Sequence, residues 1–360
     1  MNEAALEADV RVDPTAIEKS LAELWRGNKD AGDDALTRAA LWNVVAHTSS
    51  TEMHTTASEI LGRASATVPQ RTIIVRANPE AEPEIASWIS ANCHLVGGGK
   101  QVCSEEIAIV AGGDRIHRVP PLVDALLIPD MPVAVWWLGD LPNEHEEYVL
   151  SLLDPADRLI VDSAHFDSPA DLLLVERVAE KTTTTPADLN WVRLEEWRSA
   201  TASIFDPPDM RGRLRTIRRL RAVAATSDSG IFGEAVEALL FAAWLSAQLG
   251  HDVDAAGKVA GAAGSIDYTI ERRRQPSGAG SLLEIEIEFD DGCSASVARD
   301  PERGILVTTA AGKISMPESI TRATSGRPED LIVRQLKQAR GDQVLLKVMP
   351  AASRLAKRIS

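Results

Sequence analysis

Apolar positions in the first half of the chain fall in short, charge-poor runs separated by amphipathic stretches. The run from Val133 to Leu138 is the most continuous of these, being β-branched, aromatic and uncharged. Pro129 and Pro132 stand just before it, and a helix cannot run through either, because proline fixes φ and lacks an N–H. Such a run reads as a strand buried on both faces. The residues after it, Gly139 to Pro142, lie where open α/β sheets place binding surfaces.

Further strands are expected at Leu41 to Ala46, Thr72 to Ala77, Ile107 to Ala111 and Arg158 to Asp162. Asp13 caps a helix with Pro14 at its first position and Ile17, Leu21, Leu24 and Trp25 on one face. Gly27 to Asp34 reads as a polar linker. Ser49-Ser50-Thr51-Glu52 fits a capping box that opens a helix to about Ala66. Helices are also expected at Pro83 to Ala91, carrying Trp88, at Pro121 to Leu127 and at Glu144 to Leu153. This alternation predicts an α/β domain over residues 1–166 with a largely parallel sheet and right-handed crossovers.

The pattern then changes. Asp171 to Glu180, Asp188 to Ile204 and Ile231 to Leu249 read as helices, the last closed by Gly250, and Thr182 to Pro186 reads as a turn. From Ile266 the period becomes two. Tyr268 to Arg272, Leu283 to Phe289, Ser294 to Arg299 and Gly304 to Thr309 alternate as antiparallel strands with one wet face. Leu331 to Gln338 reads as a helix, and Val344 to Leu355 fits no single element clearly. Residues 167–360 are therefore expected to form an α+β domain with an antiparallel sheet.

Composition narrows the possible functions. The 360 residues suit two domains, and 44% hydrophobic with 25% charged content is that of an ordinary globular chain. Net charge is −15, which disfavours nucleic acid and anionic membrane as partners. No apolar run approaches the roughly 20 residues that span a bilayer. The acidic N-terminus lacks an apolar signal core, so a cytoplasmic location is expected. Cys93, Cys103 and Cys293 are too few for a disulfide framework. Cys93 and Cys103 flank Gly97-Gly98-Gly99, which makes them a candidate redox pair or simply two thiols beside a strand.

Signatures of reacting groups are scarce. Gly97-Gly98-Gly99-Lys100 lacks P-loop spacing, and neither a dinucleotide fingerprint nor a Gly-x-Ser-x-Gly elbow occurs. His47 and His54 are seven apart, not the four of a zinc helix, so neither metal nor cofactor is expected. The Asp162-Ser163 turn follows a strand and can either cap a helix or meet a ligand. Arg211, Arg213, Arg215, Arg218, Arg219 and Arg221 form a dense cluster. It can grip a phosphate or an acidic partner, or else be a solvated helix face neutralised by the chain's own acids.

Two stretches carry a resemblance. Leu127-Ile128-Pro129-Asp130-Met131-Pro132-Val133-Ala134-Val135-Trp136-Trp137 resembles one signature of the glucose-6-phosphate dehydrogenase assembly proteins, the OpcA family. Asp188-Leu189-Asn190-Trp191-Val192-Arg193 with Trp197-Arg198 is similar to its second signature. Pro69-Gln70-Arg71, Ala243-Trp244-Leu245-Ser246 and Tyr268 to Arg272 match in order. Val68 replaces a common His, and Leu138 a common Pro. The resemblance implies a non-catalytic cytoplasmic partner that binds and activates glucose-6-phosphate dehydrogenase as an allosteric regulator of the oxidative pentose phosphate pathway. The family lends no agreed site residues.

Residue chemistry alone nominates Trp136, Trp137, Trp191, Arg193, Trp197, Arg198, Arg215, Arg218 and Arg219 as partner-binding or structural positions, since Trp and Arg are enriched at hot spots. The alternative is a sugar-phosphate enzyme or sensor using Arg71, the Asp162-Ser163 turn and the arginine cluster.

Overall fold

The computed structural model describes residues 8–10, 12–29, 36–38, 40–96, 100–141, 145–168, 171–226, 236–261, 264–274, 282–300, 302–314, 317–322, 326–338 and 340–359. The first elements are β1 (Ala8–Val10), α1 (Pro14–Lys29), β2 (Leu36–Arg38), β3 (Trp42–Thr48), α2 (Thr51–Ser65), β4 (Gln70–Asn78), β5 (Ile85–Val96) and β6 (Lys100–Gly112). Then come α3 (Val119–Leu126), β7 (Val133–Trp137), α4 (Glu146–Leu153), β8 (Arg158–Val161), α5 (Leu172–Lys181) and β9 (Thr185–Asp188). Next are α6 (Leu189–Arg193), α7 (Glu195–Ile204), α8 (Pro208–Arg213), β10 (Ile217–Thr226), α9 (Val236–Leu249), β11 (Asp252–Val253), β12 (Val259–Gly261) and β13 (Gly264–Arg274). The chain closes with β14 (Leu282–Phe289), β15 (Ser294–Asp300), β16 (Ile305–Ala311), β17 (Ser319–Arg322), α10 (Pro328–Lys337) and α11 (Gln343–Ile359).

Two compact units result. One comprises Met1–Val161, Val178–Ala187 and Arg327–Gly341; the other comprises Asp162–Arg177, Asp188–Gly326 and Asp342–Ser360. The first holds a sheet in the order β1-β5-β6-β4-β3-β7-β8-β9, with β2 also paired to β6. The pairs β6–β4, β4–β3, β3–β7 and β7–β8 are all parallel. Val44, Val45, Ile73, Ile74, Val133 and Val135 are buried, as a sheet covered on both faces requires.

The bracketing prolines of the central strand enclose a turn. Asp130 adopts φ 61°, the left-handed region that costs a non-glycine residue about 1–2 kcal/mol. Asn43 offsets that cost. Its amide donates to the carbonyls of Ile128 (3.1 Å) and Met131 (3.4 Å), while its Oδ1 accepts from the Ile128 N–H (2.9 Å). Strand β7 thus starts at a fixed point, and Asp157 Oδ2 accepts the Val133 N–H at 2.8 Å.

Several expectations are corrected in this unit. Pro83 to Ala91 is not helical. Ile85–Val96 is a strand, paired antiparallel with β6 from Ile85 opposite Ala111 to Val96 opposite Lys100. Ile85, Trp88 and Ile89 have helical spacing, but a long hydrogen-bonded partner outweighs a short ambiguous period. Helix α1 runs through Gly27 to Lys29, where a linker is expected. The cap of α2 is Ser50, whose Oγ accepts the Met53 N–H at 3.1 Å. The expected turn at Thr182 to Pro186 ends in strand β9. Gly97 to Gly99 lie outside the described residues; the strands around them place Cys93 opposite Cys103 in register, and Cys103 is disulfide-bonded.

The second unit holds a sheet in the order β11-β12-β13-β10-β14-β15-β16-β17. It is antiparallel except for the β10–β13 pair. In β14, Leu282, Leu283, Ile285, Ile287 and Phe289 are buried while Glu284, Glu286 and Glu288 are partly exposed, the alternation of a one-faced core. Helix α9 is buried nearly all round and packs on α11. The unassigned C-terminal stretch is helical despite Pro350 in its interior. An interior proline costs about 3 kcal/mol. Leu345, Val348, Met349, Ala352, Leu355 and Ala356 form a buried stripe, and the larger side chains contribute about 1.5–3 kcal/mol each, so burial wins. The expected helix over Asp188 to Ile204 is two helices, interrupted at Leu194.

Candidate functional site

In the first unit the sheet order reverses at β3. Strand β4, reached through α2, lies on one side of β3, and β7 on the other. Open α/β sheets bind ligands outside the carboxyl ends of strands at such a reversal. The β3–α2 connection, Ser49-Ser50, and the residues after β7, Leu138 to Asp140, meet there. The Leu138 N–H donates to the His47 carbonyl at 3.0 Å, and Gly139 takes φ 83°.

A cavity of about 120 Å³ opens at this point, lined by His47, Ser49, Trp137, Asp140, His145 and Tyr148 among others. His47 stacks on Trp137, with ring centroids 3.7 Å apart and planes within 14°. Trp137 is held by its indole N–H, which donates to the Asp140 carbonyl at 3.0 Å. His47 and Tyr148 are 5% and 4% exposed. Neither imidazole nitrogen, nor the Tyr148 hydroxyl, has a hydrogen-bond partner. Each such orphan costs about 1–3 kcal/mol. Burial holds the His47 pKa down to about 3, so the ring is neutral, with one donor and one acceptor nitrogen. Burial pushes the Tyr148 hydroxyl well above its usual value.

A second cavity of about 290 Å³ shares Ser49 with the first. It is lined by Ser50 and Thr51 at the start of α2, by Arg76 and Asn78 at the end of β4, and by Glu84. The Arg76 guanidinium donates to Thr51 Oγ1. The first turn of a helix presents N–H groups without intrahelical acceptors.

The second signature builds a polar network in the other unit. Asp188 caps α6, accepting from the Asn190 N–H (2.9 Å), the Ser163 N–H (3.0 Å) and Ser163 Oγ (2.6 Å). Asn190 donates in turn to Ser163 Oγ at 3.2 Å. Arg193 grips Asp162 through two hydrogen bonds. The Arg198 guanidinium lies 3.4 Å over the Trp191 ring and donates to the Trp191 carbonyl at 3.2 Å. Trp191 Nε1 donates to Asp342 at 2.8 Å. Burial, the dominant influence on both, pushes Asp188 up to about 6 and Glu237 up to about 7. The Asp162-Ser163 turn is therefore a cap and an ion-pair anchor.

Trp136, Trp137, Trp191 and Trp197 are all buried, whereas Arg215, Arg218 and Arg219 are exposed. The arginine cluster is not one helix: it runs from α8 through a turn into β10. Arg219 pairs with Asp267 (3.3 Å) and Glu288 (3.2 Å), and Arg221 with Glu271 (2.8 Å) and Glu284 (3.1 Å). The chain's own acids thus neutralise this part of the cluster. Arg71 is buried between Glu18 (2.5 Å) and Glu105 (2.6 Å) and also donates to the Leu126 carbonyl. Both partners of Arg71 are remote in sequence, so its structural role could not be read from the Pro-x-Arg element. His47 and Tyr148 were not singled out as a pair by sequence, because their meeting depends on strand order.

Comparison with known proteins gives a consistent answer. Residues 62–177 match the family described as glucose-6-phosphate dehydrogenase subunit N-terminal domain, and residues 184–349 match its C-terminal domain. The OpcA protein of Synechocystis sp., named for the OxPP cycle, is 30% identical over 195 residues, covering 53% of this chain and 39% of that protein. The OpcA protein of Nostoc punctiforme is 32% identical over 168 residues, covering 46% and 34%. The chain therefore matches about two fifths or less of the length of these relatives. Among solved structures, an oxidoreductase from Sinorhizobium meliloti aligns with a TM-score of 0.49 at 11% identity, over 89% of this chain and 97% of that one. That likeness carries no argument about activity. Among the described residues, no helix is long and apolar enough to cross a membrane.

Proposed function

The chain belongs to the OpcA family of glucose-6-phosphate dehydrogenase subunits, and from that premise we propose that it is a cytoplasmic, non-catalytic partner that binds and activates that dehydrogenase. The observation that carries the reading is the pairing of both family domains, in order, along one chain. Activation by a partner requires different affinity for two states of the target, so the protein acts by shifting the active or oligomeric population of the enzyme.

The geometry supports contact through residues other than the buried ones of the family signatures. The tryptophans of both signatures are buried, and Asp188 of the second one caps a helix. Arg215, in the turn before β10, and Arg218, at its start, stand exposed and are the proposed points of partner contact. Arg219 contributes from within its ion pairs. The alternative, a sugar-phosphate enzyme built on Arg71, Asp162-Ser163 and the arginine cluster, has less support, because Arg71, Asp162 and Arg219 are each engaged in ion pairs.

The test uses purified dehydrogenase with glucose 6-phosphate and NADP, with and without this protein, alongside sedimentation of the mixture. A raised rate and a faster-sedimenting complex are expected, with no turnover by this protein alone. Turnover by the protein alone would overturn the reading, and so would unchanged kinetics and size on mixing.

A further inference from the structure

We propose that the crevice at the carboxyl ends of β3 and β7 is a binding site for a small hydroxyl-bearing phosphomonoester, with its hydroxyls among His47, Tyr148 and Asp140 and its phosphate at the start of α2 beside Arg76. This site is separate from the proposed contacts with the dehydrogenase, and its test does not depend on them.

Three observations converge on it. Two side chains more than nine-tenths buried, His47 and Tyr148, line one cavity and carry polar atoms without hydrogen-bond partners. A buried hydroxyl and a neutral imidazole offer both donors and acceptors, which suits an alcohol rather than an apolar group. The second observation is size. A space of about 120 Å³ admits water, or a small hydroxylated fragment in its place. The stacked His47–Trp137 pair gives that fragment a firm aromatic floor.

The third observation is charge. The adjoining cavity shares Ser49 and brings together the start of the 15-residue helix α2 and the Arg76 guanidinium. A helix start and an arginine both favour a phosphate. The Met53 N–H is taken by Ser50 Oγ, so the earlier N–H groups of the turn are the ones placed to meet an anion. Glu84 lines the same cavity and offers an acceptor to a ligand hydroxyl, while disfavouring a more highly charged diphosphate. A serine-rich turn replaces the glycine-rich one that lets a dinucleotide pyrophosphate approach backbone, which again points to a single phosphate.

The experiment is calorimetric titration of the full chain with glucose 6-phosphate as the probe, with glucose and inorganic phosphate as comparison arms. Saturable binding of the probe is expected, at least ten-fold tighter than either fragment. Tyr148→Phe removes one hydroxyl and keeps the ring, and Arg76→Gln alters an accessible side chain; each should weaken binding several-fold or more. His47→Phe, which keeps the stack on Trp137, should do the same. In the unaltered protein, the His47 imidazole nitrogen resonances should shift on saturation, a readout that does not depend on how the variants fold. Absence of binding up to about 10 mM, or equal binding of inorganic phosphate with unmoved His47 resonances, would overturn the proposal. The first result would leave a chamber that holds water only, and the second an anion cradle without the chamber.

Discussion

Arg193 holds Asp162 in a two-pronged grip, its Nη1 and Nη2 donating to the two carboxylate oxygens at 2.6 and 2.7 Å. Both side chains are largely shielded, 22% and 13% exposed. Breaking a shielded pair from one side leaves a charge without its partner, at a cost of about 3–5 kcal/mol when fully buried. Arg193→Ala should therefore destabilise the chain by about 2–3 kcal/mol after allowance for solvent, read as a lower urea midpoint. A loss under about 0.5 kcal/mol would show that water substitutes for the guanidinium.

Beside that pair, two acids set a pH dependence. Burial raises Asp188 from 3.8 to about 6 and Glu237 from 4.5 to about 7. A carboxyl with a raised folded pKa binds its proton more tightly when folded, so its contribution is present below the unfolded value and is lost as pH rises through the folded one. Stability should fall as pH rises from about 4 to about 7, by about 2–3 kcal/mol per group. Asp188→Asn and Glu237→Gln should each remove part of that slope in urea midpoints measured across the window. An unchanged slope in both variants would contradict the assignment.

Arg198 covers the Trp191 ring and bonds to its carbonyl. A desolvated cation–π contact and a charge-assisted hydrogen bond together suggest about 2 kcal/mol. Arg198→Ala should show that loss in thermal or urea unfolding. Arg198→Lys should recover less than half of it, because an ammonium lacks the planar fork that stacks and bonds at once. Full rescue by lysine would mean that charge alone matters.

The turn before β7 can be tested from both sides. Asn43→Ala removes a buried side chain that makes three part-buried hydrogen bonds to the turn and should cost about 2–3 kcal/mol. Asp130→Gly should be nearly neutral, since glycine reaches φ 61° without strain, whereas Asp130→Val should cost about 1–2 kcal/mol. If valine proves as stable as glycine, strain at this position has no measurable weight.

Charge reversal at the exposed Arg215 and Arg218 bears on the proposed partnership with the dehydrogenase. Arg215→Glu with Arg218→Glu should weaken association and flatten its dependence on salt, because screened surface charges act mainly on encounter. The fold should be little affected, as exposed pairs contribute under about 1 kcal/mol. Association unchanged in affinity and in salt slope would remove this face from the interface.

By itself the sequence determined the layers. Charge-poor runs such as Val133 to Trp137 make strands of a covered parallel sheet, and the two-residue period of Leu283 to Phe289 makes a one-faced one, because burial acts through local spacing. Caps at Asp13 and in the Ser49-Ser50 turn were legible for the same reason: their partners are three residues away. Only the tertiary structure decided what the signatures do. Arg71 finds Glu18 and Glu105, Asn43 finds Ile128, and Trp191 finds Asp342 across long stretches of chain, and no local pattern specifies such meetings. The strand at Ile85–Val96 needed β6 beside it, and the candidate crevice needed β7 to settle next to β3. Hydrophobic spacing says which residues must leave water, but hydrogen bonds and ion pairs are short-ranged, so their partners are fixed only once the strands have found their order.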